Sequence, residues 1–202
     1  MKFNEKKKLW YGFIKSLSNE RNWKFKNYFI FEKFGNLLFS TSFYVSMKED
    51  AILIYSSYKP KDIDDTFWKI IGLESNIKKP LSFRINAAFQ ISSITFFKEN
   101  FYIKDALNPQ LEIENILKAV ENVTSDKLNE IDRNQNIFLS ELRKNEDDNC
   151  VEIVCYLIHN KQLENAKQEI NKFKNNGFNP IFYFGESDLY FFDLALDYIN
   201  QL

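Results

Sequence analysis

From Leu37 to Met47 the chain alternates with period two, since Leu37, Phe39, Thr41, Phe43, Val45 and Met47 interleave with Ser40, Ser42, Tyr44 and Ser46. Side chains of an extended backbone switch face at every residue, so this run can bury one face and wet the other only as a strand. One face is core; the other is mostly hydroxyl. A lone strand is not stable, and its neighbours are legible on either side. Upstream, Trp23, Phe25, Phe29 and Phe31 fall on one side of an extended segment, with Lys24, Lys26 and Glu32 on the other, and Gly35 and Asn36 supply a turn. Downstream, Lys48, Glu49 and Asp50 read as a second turn before a third strand, Ala51 to Tyr58, rich in Ile and Tyr. Three strands in succession predict an antiparallel meander.

Helical spacing brackets this sheet. Leu9, Trp10, Phe13, Ile14 and Leu17 make one stripe over residues 4–19. A short helix is expected over 60–73, with Asp62, Asp64 and Asp65 at its start and Gly72 at its end. After Pro80, Leu81, Phe83, Ile85, Ala87, Phe89 and Ile91 alternate as a further strand, and 94–103 as another. From Asn108 and Pro109 the period lengthens: helices are expected through Val123, over 137–142 and 151–158, and at Leu163, Ala166, Ile170 and Phe173, the last closed by Gly177. A short strand at 181–184 and a helix capped by Ser187 complete the chain. Lys144 to Asn149 reads as an exposed loop and the helices on either side of residue 160 as a helical hairpin. The fold class is therefore α+β, with an N-terminal helix, a meander of four to six strands and a mostly helical C-terminal half. No linker rich in Gly, Ser or Pro interrupts it, so residues 1–202 are expected to form one domain, sheet-rich over 1–104 and helix-rich over 105–202.

Charge and motif content narrow the chemistry. Twenty-seven basic residues against 28 acidic ones leave a net charge of −1, which gives no global attraction for nucleic acid. The scattered glycines make neither a P-loop nor a dinucleotide fingerprint. His159 is the one histidine, four residues after Cys155, which makes a Cys/His pair the sole conventional nucleophile and base; the commoner fate of such residues is a core thiol and a helix-end histidine. One histidine and two cysteines fall short of a structural zinc site, and no cofactor is implied. Asp62, Asp64 and Asp65, or Asp188, Asp193 and Asp197, offer carboxylates for a metal-dependent hydrolase, though solvated acids on helices are commonplace. Lys24 and Lys26 beside Trp23, Phe25 and Tyr28 suggest a surface for single-stranded nucleic acid, but the aromatics are expected to face away from the lysines. No apolar run nears 18 residues and no signal-type stretch follows Met1 to Trp10, so a cytoplasmic setting without membrane contact is expected, with Cys150 and Cys155 reduced.

What remains is a protein-binding module, with Tyr44 on the hydroxyl face and the acidic loop Glu146, Asp147 and Asp148 as contacts. The aromatic meander NWKFKNYFIFEKFGNLLFSTSFYVSM, the small α+β body and a Lys, Asn, Ile and Phe bias together resemble bacterial immunity proteins of polymorphic toxin systems. That resemblance implies a tight complex with a cognate toxin rather than turnover, and carries no particular residue across.

Overall fold

The computed structural model describes residues 3–46, 48–86, 90–103, 108–134, 136–184 and 187–202. Its elements run α1 (Phe3–Glu20), β1 (Lys24–Lys26), β2 (Phe29–Phe34), β3 (Leu37–Ser46), β4 (Ala51–Pro60), α2 (Lys61–Ile70), α3 (Phe83–Asn86) and β5 (Ile94–Tyr102). There follow α4 (Pro109–Arg133), α5 (Ile137–Leu142), α6 (Cys150–His159), α7 (Leu163–Asn175), β6 (Ile181–Phe184), β7 (Ser187–Tyr190) and α8 (Phe191–Asn200). Short 3₁₀ turns lie at Glu74–Lys78 and Arg143–Asn145. This is an α+β protein. Among the described residues, no helix is long and apolar enough to cross a membrane. The chain divides into two compact units, one of Met1–Lys59 with Ser93–Gln135 and one of Pro60–Ser92 with Asn136–Leu202.

The first unit holds a five-stranded sheet in sequential order β1-β2-β3-β4-β5, antiparallel at the β1–β2, β2–β3 and β4–β5 pairings. Helices α1 and α4 cover one face. Trp10, Ile14 and Leu17 from α1 and Ile113, Ile116, Leu117 and Val120 from α4 pack on Ile30, Phe43, Val45, Ile52 and Ile54 of the sheet. Helix α4 starts where Asn108 and Pro109 predict: the Asn108 side chain accepts from the Leu111 amide at 3.4 Å, and proline, which lacks an amide hydrogen, occupies the first turn. Residues 23–31, read from sequence as one extended segment, are instead a hairpin. Its two-residue turn sets Asn27 at φ 51° and Tyr28 at φ 67°, the paired left-handed geometry whose twist matches the flanking strands.

The second unit is mostly helical and includes the β6–β7 hairpin. Phe67, Phe173, Phe191 and Phe192 are fully buried; Phe173 stacks on Phe192 at 5.9 Å and Phe67 meets Phe191 at 5.8 Å. Helices α6 and α7 form the expected helical hairpin. Gly72 (φ 72°) ends α2 and Gly177 (φ 84°) ends α7, each in a cap whose next residue donates back five positions, Leu73 to the Trp68 carbonyl and Phe178 to that of Phe173. Asn22 and Lys161 take the same left-handed role after α1 and α6.

Two local expectations fail. The alternation over 81–91 does not form a strand: residues 83–86 make one helical turn, and Ala87 and Phe89 lie outside the described residues. Arg84, buried at the centre of that stretch, fixes the segment by its side chain rather than by ladder bonds. Nor does Ser187 cap the last helix, since 187–190 is strand β7 and the residue preceding α8 is Tyr190.

Candidate docking face

Register decides which residues share the face of the sheet opposite α1 and α4, where Phe31 and Leu38 are buried and Lys24, Lys26, Tyr44 and Lys98 are exposed. Across the β1–β2 hairpin Lys24 pairs with Phe31, Phe25 with Ile30 and Lys26 with Phe29. Directly opposed residues of antiparallel strands point the same way, so the two-residue turn exchanges odd and even positions. Lys24 and Lys26 therefore lie on the same face as Phe29 and Phe31, while Phe25 joins Ile30 against the helices. The sequence expectation that the lysines oppose all these aromatics is corrected.

Continuing through β2–β3, Phe29 pairs with Ser42 and Phe31 with Ser40, and through β4–β5 Leu53 pairs with Asn100 and Tyr55 with Lys98. The outer face thus carries Ser42, Tyr44, Leu53, Tyr55 and Thr95, which line a shallow groove of about 500 Å³. Tyr44 is 54% exposed, and its ring meets that of Tyr55 edge-on at 5.7 Å and 88°. Lys98 holds its ammonium 5.1 Å from the Tyr55 ring centroid, a cation–π geometry. Tyr102, at the end of β5, is 56% exposed. Of the four sequence candidates, Tyr44 alone belongs to this face. Tyr55 and Leu53 were legible by carrying the same alternation into the third strand; Thr95 and Lys98 needed the β4–β5 register, whose bulge at Ser56 and Ser57 shifts the pairing.

Glu146, Asp147 and Asp148 lie in the helical unit. Glu146 is engaged internally: it accepts from Lys172 and, at 2.7 Å, from Arg143, whose other nitrogen reaches Glu169 at 2.6 Å. The Lys172 and then the Arg143 hydrogen bonds hold the Glu146 carboxyl below its usual range. Asp147 and Asp148 are exposed, and Asp148 accepts from the Asn145 amide. This loop is a helix-to-helix tether with two exposed acids beside it, Asp148 bonded to Asn145.

The conventional catalytic candidates have other occupations. Cys155 is fully buried, and burial, then Glu152 and Asp64, pushes its thiol well above the ordinary value; burial lifts Cys150 to about 11. Neither supplies thiolate near neutrality. His159 Nδ1 lies 3.4 Å from Thr66 Oγ1 and its Nε2 is 4.0 Å from Asp62, but that hydroxyl already donates to the Asp62 carbonyl at 3.0 Å. Asp64 and Asp65 flank the Arg84 guanidinium at 3.6 and 2.6 Å, and Asp193 pairs with Lys174 at 2.7 Å. Asp188 is exposed in β7. Among the described residues, no group of three or more His, Cys, Asp or Glu is placed to hold a metal ion.

On the covered face of the sheet, Glu32 sits opposite Phe39, near α4. Desolvation first, then the charge of Glu121, raise its carboxyl to about 7, against a hydrogen bond from Trp23 that lowers it. No family matches the chain, and neither the characterised proteins nor the solved structures contain a match to it.

Proposed function

We propose that this chain is a non-catalytic protein-binding module that receives its partner on the outer face of the five-stranded sheet. The observation that carries the reading is the groove of Ser42, Tyr44, Leu53, Tyr55 and Thr95, a tyrosine centre among hydroxyls on a rigid strand scaffold. Tyrosine gives large contact area with little side-chain entropy to lose, and serine adapts its hydrogen bonding, the combination that antibody paratopes use. A base-stacking platform is less well served, because the Tyr55 ring already has Lys98 over it and the Tyr44 ring edge-on beside it.

The narrower form of the proposal is a bacterial, cytoplasmic immunity protein that neutralises a cognate toxin. It is supported by the small α+β body, the aromatic meander and two buried free cysteines that fit a reducing compartment. The test is capture of partners from the native cell by tagged wild type and by a Tyr44→Ala/Tyr55→Ala variant of unchanged melting behaviour. One stoichiometric protein held by wild type and lost by the variant supports the reading. A partner held equally by both moves the site elsewhere, and the absence of any partner sinks the proposal.

A further inference from the structure

We infer that the partner meets this face with acidic groups on both sides of a neutral, hydrogen-bonding centre, an inference that rests on the docking reading above. The argument comes from the sign of the charges. Alternation and register assign to the outer face the even positions of β1 and β3, the odd positions of β2 and β4, and Thr95, Lys98, Asn100 and Tyr102 of β5. These strand positions include no Asp or Glu. Their exposed charges are Lys24, Lys26, Lys33 and Lys98. The acids of the same strands, Glu32 and Glu99, point to the opposite face, where Glu99 pairs with Ile54.

The placement is as informative as the sign. Lys24 and Lys26 stand on β1 at one edge of the sheet and Lys98 on β5 at the other. Four inter-strand steps separate those edges, about 19 Å at the usual spacing. Between them lie Ser42, Tyr44, Leu53 and Tyr55, with Lys33 on β2 nearer the β2–β3 turn, opposite Leu38. A partner complementary to this face therefore offers two acidic clusters about that far apart, with hydroxyl, amide or small apolar groups between them. A second copy of the chain is disfavoured as the occupant, because stacking this face on itself sets lysines against lysines. A nucleic acid strand, anionic along its whole length, would leave phosphates over the neutral tyrosine and serine centre.

The experiment is a titration of the isotope-labelled chain followed by amide chemical shifts. The probe is a peptide with three glutamates at each end of a Ser/Tyr/Gly centre; controls are the same peptide with lysines for glutamates, a peptide with all its glutamates at one end, and oligo-dT. The account expects shifts at Lys26, Ser42, Tyr44, Tyr55 and Lys98 with the first peptide. It expects affinity to fall at least about tenfold in Lys26→Glu/Lys98→Glu and on raising salt past the screening range. Equal response to the lysine peptide, tighter binding of oligo-dT, or shifts confined to other surfaces overturns it. The two readings fail separately. If Tyr44→Ala/Tyr55→Ala loses the captured partner while Lys26→Glu/Lys98→Glu keeps it, docking stands and the acidic partner falls.

Discussion

In the helical unit Arg84 lies 4.6 Å from the Trp68 ring centroid, fully buried, and its two terminal nitrogens face Asp64, Asp65 and the carbonyls of Lys61 and Ile77. On the sheet Lys98 also sits over an aromatic ring, Tyr55 at 5.1 Å, but it is exposed, and among the described strand positions no acid shares its face. The two cations have the same local partner and opposite uses. Arg84 ties Ile77 to α2, and Asp64 also accepts from the Ile91 amide at 3.3 Å. Lys98 leaves its charge toward solvent. The contrast motivates the proposal: the buried ion cluster is committed to holding the fold, whereas a one-sign surface over a tyrosine groove faces solvent.

The largest effect expected from breaking this contrast is at Arg84. Arg84→Met leaves Asp64 buried without its counter-charge and costs about 3–5 kcal/mol in urea unfolding, and adding Asp64→Asn recovers part of it. An equally poor double variant would mean that the arginine acts by packing on Trp68 instead. Next is the docking face, where Tyr55→Ala weakens partner binding by about 2 kcal/mol or more, as central tyrosines do. Calorimetry with the captured partner reads it, and an unchanged affinity places the contact elsewhere.

Glu32 sharpens the comparison from the covered side of the sheet. Its folded carboxyl titrates near 7, above the unfolded value, so the folded state holds the extra proton between about pH 4.5 and 7. Stability therefore falls as pH rises through that window, and Glu32→Gln should stabilise by about 1–2 kcal/mol at pH 8, after discounting for partial exposure, and by nothing near pH 4. Chemical unfolding at the two pH values measures it; a gain that persists at pH 4 would point to packing rather than charge. A smaller loss, about 1 kcal/mol, is expected for Asn27→Ala at its positive φ. Smallest is Tyr44→Ala, within about 0.5 kcal/mol of wild type in melting, because the ring is half exposed.

The meander was legible because its periodicity is strong: β3 runs over the residues whose alternation announces it, and Phe43 and Val45 bury as that pattern requires. Helix α4 was legible from its cap and first proline. Face assignment around β1 and β2 was not, because a turn at Asn27 and Tyr28 carries no Gly and one residue of register inverts every side chain. The alternation over 81–91 misled because Arg84, which falls on the expected polar side of that alternation, is itself buried and paired. Tyr44 was found from its place on the hydroxyl face. Lys98 was not, since joining it to Tyr55 requires the pairing of two strands about forty residues apart in sequence.

The central claim, that the outer sheet face receives the partner, is tested most directly by lysine-acetylation footprinting of the chain free and in complex with its captured partner. Protection of Lys24, Lys26 and Lys98, with Lys144 and Lys167 of the helical unit labelled as in the free chain, is the predicted result. Unchanged labelling of the three sheet lysines, or protection confined to the helical unit, would contradict the account.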